Sequence, residues 1–273
     1  MKLLSLDDVS FHYEKHKTEK SSENSFAIKN ISLQINEGEF ISIIGKNGSG
    51  KSTLVKLISK ILIGYNGKIL YKETEIHDID RKLYARNVAY LPQSSFYSDE
   101  VKVMDFLLLG RYAHKKFTDF TFSAEDKKVV SECLEVTKTE DLKGKFLYEL
   151  SGGERQKVLI TLALVQLDIT GDTGEKILII DEPLTYLDVN YQFEIFNILE
   201  KLKAKNLTVL VVIHDLNIAL RYSDKTILMS KGEMAEFAET KKVITEEMIK
   251  EYFLIDSKIH SFEKNYFINY NPA

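Results

Sequence analysis

Residues 45–53 read Gly45-Lys46-Asn47-Gly48-Ser49-Gly50-Lys51-Ser52-Thr53, and this stretch decides the fold. It fits G-x-x-x-x-G-K-[ST] with Gly45, Gly50, Lys51 and Ser52 in the fixed places of a phosphate-cradling loop. The three glycines let the backbone turn tightly and aim its N–H groups at anionic oxygens. Lys51 brings a compact positive charge to the β- and γ-phosphates, and the Ser52 hydroxyl suits Mg²⁺. Before the loop, Phe40 to Ile44 reads as a buried strand. After it, Leu54, Val55, Leu57, Ile58, Ile61 and Leu62 repeat at helical spacing as one apolar face. A strand entering a glycine loop that opens a helix turns the helix's positive end toward the anion. The stretch is therefore expected to bind a nucleotide.

Outward from the loop, the bulk numbers set bounds. With 273 residues, 44% of them hydrophobic, the chain can build one large domain or two smaller units sharing a core. A net charge of −4 argues against nucleic acid as a partner, which would need a basic face. The single cysteine, Cys133, excludes an internal disulfide and falls with Val129, Val130 and Leu134 on a helical face, as a core residue would. No apolar run reaches the roughly 18 residues of a spanning helix, and the acids of Met1 to Asp8 interrupt any signal-peptide pattern. A soluble chain is expected, with any membrane link made through a partner.

Leu3 to Tyr13 and Ala27 to Ile35 alternate as strands around a Lys-, Glu- and Ser-rich tract, Glu14 to Ser25, expected to be an exposed loop. Tyr13 could stack on an adenine ring. Asn66-Gly67 predicts a turn into the strand Lys68 to Tyr71, and Val88 to Leu91 is a short strand closed by Pro92 and Gln93. From about Ser94 to Leu150 the pattern turns helical. Val103, Phe106, Leu107 and Leu109 cluster there, and Ser123 with Asp126 resembles a capping box. Alternation then resumes: helix Gly153 to Leu167, strand Ile177 to Ile180, helix Gln192 to Lys203, strand Thr208 to Ile213, helix Leu216 to Tyr222, strand Lys225 to Met229. Buried apolar strands joined by helices imply an α/β fold with a mainly parallel sheet covered on both faces.

The remaining chemistry sits at strand ends. Lys176 to Pro183 is an apolar strand that ends in Asp181 and Glu182. Two adjacent carboxylates at the mouth of a buried strand are costly unless a cation or a bound water needs them. Asp181 can hold Mg²⁺ and Glu182 can deprotonate an attacking water. His214 likewise follows a buried strand and can reach a γ-phosphate. His12, His16, His77, His114 and His260 show no metal-ligand spacing. Leu150-Ser151-Gly152-Gly153-Glu154-Arg155-Gln156, running into a helix, forms a second anion site from a hydroxyl, glycine N–H groups and a helix N-terminus. Two phosphate-binding elements for one nucleotide suggest that two copies share each ATP.

With that second element in place, the chain resembles the ATP-binding cassette ATPases of ABC transporters over nearly its whole length. The motifs stand in family order: the Walker A loop Gly45 to Thr53, the Q-loop Gln93, the signature Leu150 to Glu154, the Walker B acids Asp181 and Glu182, the D-loop Leu187-Asp188, and the switch His214. The resemblance implies a P-loop NTPase core with an N-terminal antiparallel β region (residues 1–93 and 151–240), an inserted helical signature subdomain (94–150) and a short C-terminal extension (241–273) with no regulatory domain appended. It implies Tyr13 stacking on adenine, Lys51 and the loop amides on the phosphates, and Mg²⁺ on Ser52, Gln93 and Asp181. It makes Glu182 the general base, with His214 on the γ-phosphate and the water. Ser151, Gly152, Gly153 and Glu154 would serve the ATP of the opposite copy, and Asp188 would couple the two sites. The working form would be a C2 dimer of two copies with ATP sandwiched between them, peripheral on the cytoplasmic side of the membrane, against permease subunits fed by a substrate-binding protein.

Val103 to Tyr112 with His114-Lys115-Lys116-Phe117, and His214 to Asp224, are similar to the importers of iron chelates, haem and cobalamin. Leu184-Thr185-Tyr186 departs from the family's usual Thr-Ser/Thr-x, and the Thr170 to Glu175 loop is longer than most. The alternatives are an exporter cassette, often fused to membrane domains, and a cytosolic ABC ATPase acting on DNA or ribosomes, which long coiled-coil insertions or tandem cassettes would favour.

Overall fold

In the computed structural model, the described residues are 1–13, 27–93, 100–116, 119, 121–171, 173–183, 188–262 and 265–271. The expected Glu14 to Ser25 loop, Leu184-Thr185-Tyr186, and Leu187 of the D-loop lie outside them. In chain order the elements are strands β1 (Lys2–Phe11), β2 (Ile28–Asn36) and β3 (Phe40–Ile44), helix α1 (Lys51–Ile58), strands β4 (Asn66–Tyr71) and β5 (Thr74–Glu75), helix α2 (Arg81–Asn87) and strand β6 (Val88–Leu91). Helices α3 (Val103–Leu108), α4 (Ala124–Thr137) and α5 (Gly152–Leu167) follow, then β7 (Ile177–Asp181), α6 (Val189–Lys203), β8 (Thr208–Val212), α7 (Leu216–Tyr222), β9 (Lys225–Ser230) and β10 (Glu233–Glu239). The chain closes with short helices α8 (Thr240–Val243) and α9 (Glu246–Met248) and the strands β11 (Asp256–Phe262) and β12 (Asn265–Asn271). They divide into two compact units, Met1–Asp78 with Leu210–Ala273, and Ile79–Val209.

In the first unit, β2-β1-β4-β5 form an antiparallel sheet. The buried strand β3 pairs in parallel with β9, Ile41 opposite Lys225 through Ile44 opposite Leu228, and β10 adds antiparallel to β9. Phe40, Ile41, Ile43 and Ile44 are fully buried, each aliphatic side chain contributing about 1.5–3 kcal/mol. The one hydroxyl on β3, Ser42, meets Thr226 of β9 at 2.7 Å, so no polar group is left unpaired at the base of the loop. β11 and β12 form a hairpin in register from Asp256–Asn271 to Phe262–Asn265. In the second unit β6 and β7 run parallel, Val88 opposite Ile177 and Leu91 opposite Ile180, and Ile177 to Ile180 are fully buried. Parallel pairing of apolar strands appears in both units, as the unbroken Ile/Val/Leu runs imply.

Some local expectations change. The helix after the phosphate loop ends at Ile58, leaving Ile61 51% exposed rather than on a buried face. Leu109, grouped by sequence with the apolar cluster, is also exposed. Asn66-Gly67 is not a hairpin turn. It opens β4 opposite an irregularity in β1, and Gly67 at φ +86° lets Asp8 approach so closely that a Cβ would lie 2.3 Å from its carbonyl oxygen. The capping box at Ser123 and Asp126 is present, and Cys133 is buried. Burial pushes its thiol up to about 12, which keeps it protonated and inert. Among the described residues, no helix is long and apolar enough to cross a membrane.

Candidate functional site

The predicted residues fall into two groups, one in each unit. In the first unit the phosphate loop is built by close backbone approach. Gly45 sits at φ +145°, where a Cβ would lie 2.2 Å from the Met229 carbonyl oxygen, and Gly50 at φ +103°, where it would lie 2.8 Å from that of Ala27. No other residue fits either place without moving backbone. Lys51, 5% exposed, folds back over the loop and donates to the carbonyl oxygens of Gly45 at 2.9 Å and Lys46 at 3.2 Å. The N-terminus of α1 has no side-chain cap and no acid in its first turn, which suits its positive end to an anion. The Ser49 hydroxyl is buried with no hydrogen-bond partner among the described residues. An orphaned hydroxyl, an uncapped helix and a lysine in one loop fit an anion. A cavity of about 460 Å³ is lined by Lys46, Asn47, Gly48 and Ser49 together with Lys231, Glu251 and Tyr252.

Two further predicted residues lie in that unit. Tyr13 is 52% exposed; its hydroxyl stands 3.2 Å from Thr53 Oγ1 and its ring meets Phe11 edge-on at 5.0 Å. It therefore reaches Thr53 at the end of the phosphate loop directly. His214 is exposed just past β8, and the next residue, Asp215, caps α7 by accepting from the N–H groups of Asn217 and Ile218. Sequence reading gave no role to the C-terminal hairpin, yet it packs here. Ile268 donates its N–H to Asn217 Oδ1 at 2.7 Å, and Ile249, Phe253, Ile255 and Tyr270 line a cavity of about 440 Å³ with His214. Burial, with the charge of Asp215, pushes the Tyr270 phenol up to about 12.

In the second unit, Asp181 is 3% exposed at the end of β7 and accepts from the Tyr90 hydroxyl at 3.2 Å. Glu182 follows in a left-handed conformation, φ +55°, which swings its carboxylate out of the strand's alternation. Gln93 donates from Nε2 to Glu182 Oε2 at 2.6 Å. Two residues 89 apart in sequence are thus joined at the mouth of β7. Tyr90 was missed by sequence reading; its place three residues before Gln93 on a strand ending at the site was the available signal.

The signature segment opens α5 with a reciprocal cap. Ser151 accepts from the Glu154 N–H at 3.3 Å, and Glu154 accepts from the Ser151 N–H at 2.8 Å and from Lys145 at 3.3 Å. The Ser151 amide, then its hydroxyl, and after them Lys145 hold the Glu154 carboxyl below the usual carboxylate range against an opposing effect of burial. Gly152 is exposed and Gly153 buried. Asp188 caps α6, accepting from the Tyr191 N–H at 3.0 Å. At the other end of α5, the buried Arg111 donates to Asp126 at 3.0 Å and Asp168 at 2.9 Å, clamping the preceding helices to the signature helix. Neither that clamp nor Lys145 was singled out by sequence, because each depends on pairing across helices.

Residues 28–185 match the ABC transporter family, more than half of the chain. An uncharacterized ABC transporter ATP-binding protein of Methanocaldococcus jannaschii is 38% identical over 95% of this chain and 94% of its own length. The chain belongs to the ABC transporter family. Within it the chain is an ATP-binding, ATP-hydrolysing cassette. The iron(3+)-hydroxamate import ATP-binding protein FhuC of Bacillus subtilis is 34% identical over 85% of this chain and 84% of its own length. Among solved structures, a dimeric ATP-binding cassette in a post-hydrolysis state with ADP and phosphate is 27% identical, with a TM-score of 0.73, covering 87% of this chain and 99% of its own.

Proposed function

We propose that this cassette is the energy-coupling subunit of an importer of iron chelates of the siderophore, haem or cobalamin type. The observation that carries the ATPase mechanism is the Gln93–Glu182 hydrogen bond beside the buried Asp181. The likeness to FhuC supports the cargo class. The post-hydrolysis dimer among its structural neighbours supports a working pair of copies.

In this reading Tyr13 takes the adenine, while Lys51, Ser49 and the amides of Gly45 to Thr53 take the phosphates. The hard oxygen set of Ser52, Asp181 and the Gln93 side-chain carbonyl suits Mg²⁺. That fit has a basis in the observed bonding, since Gln93 bonds Glu182 through its amide nitrogen and not through its side-chain oxygen. When bound, the metal would neutralise charge on the β- and γ-phosphates. Glu182 accepts the proton of the attacking water, and Gln93 orients the carboxylate that does so. His214 holds the γ-phosphate and that water. Ser151 to Glu154 of one copy close over the ATP held by the other, and Asp188 couples the two sites. Residues 94–150 form the helical subdomain against which a permease docks, with a substrate-binding protein upstream. The subunit works on the cytoplasmic face of the membrane as a peripheral protein.

Substituting Glu182→Gln tests the assignment. Steady-state hydrolysis should fall by about two orders of magnitude or more, the scale of a lost general base, with ATP binding retained. Undiminished turnover would remove Glu182 from the role. Uptake assays with the cognate permease and ferric siderophore, haem and cobalamin test the cargo class; failure with all three would reject it.

A further inference from the structure

Helices α5 and α6 start from two capped N-termini, Ser151 and Asp188, and one side chain joins them. A Cβ built on Gly153 would lie 2.5 Å from Cγ of Tyr191 and 2.6 Å from its Cδ1 and Cδ2. The ring face therefore lies flat on the Gly153 backbone, in a space that any larger residue at 153 would close. The same residue donates its own N–H to Asp188 Oδ1 at 3.0 Å. One turn along α5 from Gly153, Lys157 sets its ammonium 5.1 Å over the Tyr191 ring and pairs with Glu194, one turn along α6. The phenol hydroxyl makes no hydrogen bond among the described residues. What the site uses is the flat face of the ring.

We propose that Tyr191 is a positioning residue that locks the signature segment to the Asp188 corner, so that both move as one piece when a second copy docks on the bound nucleotide. The proposal rests on the reading of Ser151 and Gly153 as contacts to the ATP of the opposite copy. Three observations meet in it: a glycine with room for nothing but the ring, a cap bonded to the backbone of the ring's own residue, and a lysine of the signature helix held over the ring. A rigid pair of helix starts would present the signature hydroxyl and the coupling aspartate in a fixed spacing, where a small misplacement is expensive in rate.

The test uses the full-length chain with Tyr191→Phe, Tyr191→Leu and Tyr191→Ala. Four quantities are measured: kcat and KM for ATP, binding of a fluorescent ATP analogue to dilute single chains, and ATP-driven pairing in a Glu182→Gln background. Tyr191→Phe should stay within about twofold of the parent kcat, since the ring face is kept. Tyr191→Ala should lose about tenfold or more in kcat and pair only at higher ATP, with analogue binding unchanged. If Tyr191→Ala does not fold, Tyr191→Leu carries the test, with kcat expected to fall by about threefold or more. Parental kcat and pairing in both Tyr191→Ala and Tyr191→Leu, or an equal loss in Tyr191→Phe, would overturn the proposal. So would loss of analogue binding in step with kcat. Failure of the Glu182→Gln parent itself to pair with ATP would instead bring down the dimer reading on which the proposal stands.

Discussion

The N-termini of α1 and α5, the helix starts proposed to face phosphate, are built in opposite ways. Helix α1 begins at Gly50 in a left-handed conformation, with no side-chain cap and no acid in its first turn. Helix α5 begins at Ser151, capped on both sides by the reciprocal bonds to Glu154. In the proposed reading the first end turns its positive dipole to a ligand carried by its own chain. The second satisfies itself internally, through the Ser151 amide and hydroxyl on the Glu154 carboxylate. A self-satisfied end can wait in water without a ligand, as a surface meant for another copy's nucleotide must. An open end is stabilised chiefly when its phosphate arrives. In the proposed reading, α1 takes the phosphate first and α5 of a second copy completes the site.

The largest effects should come from the open end. Lys51→Ala should weaken ATP binding by about 2–3 kcal/mol, some one to two orders of magnitude, because charge-assisted bonds to phosphate are lost. Isothermal titration would show it, and unchanged affinity would break the comparison at its stronger half. Gly45→Ala should cost about 2–3 kcal/mol of folding stability by forcing a Cβ into the Met229 carbonyl, read as a lower denaturant midpoint. At the capped end the effects are smaller. Ser151→Ala should lower stability by about 1 kcal/mol through the lost cap and depress hydrolysis while leaving binding to the phosphate loop intact. Equal loss of ATP binding in Ser151→Ala and Lys51→Ala would erase the distinction drawn between the two ends.

The smallest effect is one of pH. The Glu154 carboxyl is held below its ordinary 4.5 chiefly by the Ser151 amide. A depressed folded value means that its contribution is fully present above the unfolded pKa and is lost as pH falls through the folded one. Thermal melts from pH 7 down to about 3 should therefore show a steeper acid loss in the parent than in Glu154→Gln. Identical acid slopes would dismiss the carboxylate as a contributor to the cap.

Much of this was legible from residues alone because the decisive signals are local. The loop Gly45 to Thr53, the signature Leu150 to Glu154 and the paired acids Asp181 and Glu182 each lie within a few residues of one another, where sequence order and spatial order agree. The strands Phe40 to Ile44 and Ile177 to Ile180 announced themselves as unbroken apolar runs. What escaped depends on distant pairing. Tyr90 matters through Asp181, Tyr191 through Gly153, and Arg111 through Asp126 and Asp168. Helix α2 was missed because only Tyr84 in it is buried, so it carries almost no apolar period. The C-terminal hairpin, read only as a short extension, packs against α7 through Ile268 and Asn217, a contact that no local pattern announces. Asn66-Gly67 misled because the same dipeptide that favours a tight turn also suits a glycine at a strand irregularity.

The claim that one chain holds half of each ATP site is tested most directly by light scattering on purified Glu182→Gln with and without ATP and Mg²⁺. A mass of two chains with ATP and one without, with the two-chain species lost when Ser151→Arg is added, is the predicted result. A single-chain mass at saturating ATP, or a pair that survives Ser151→Arg, would contradict it.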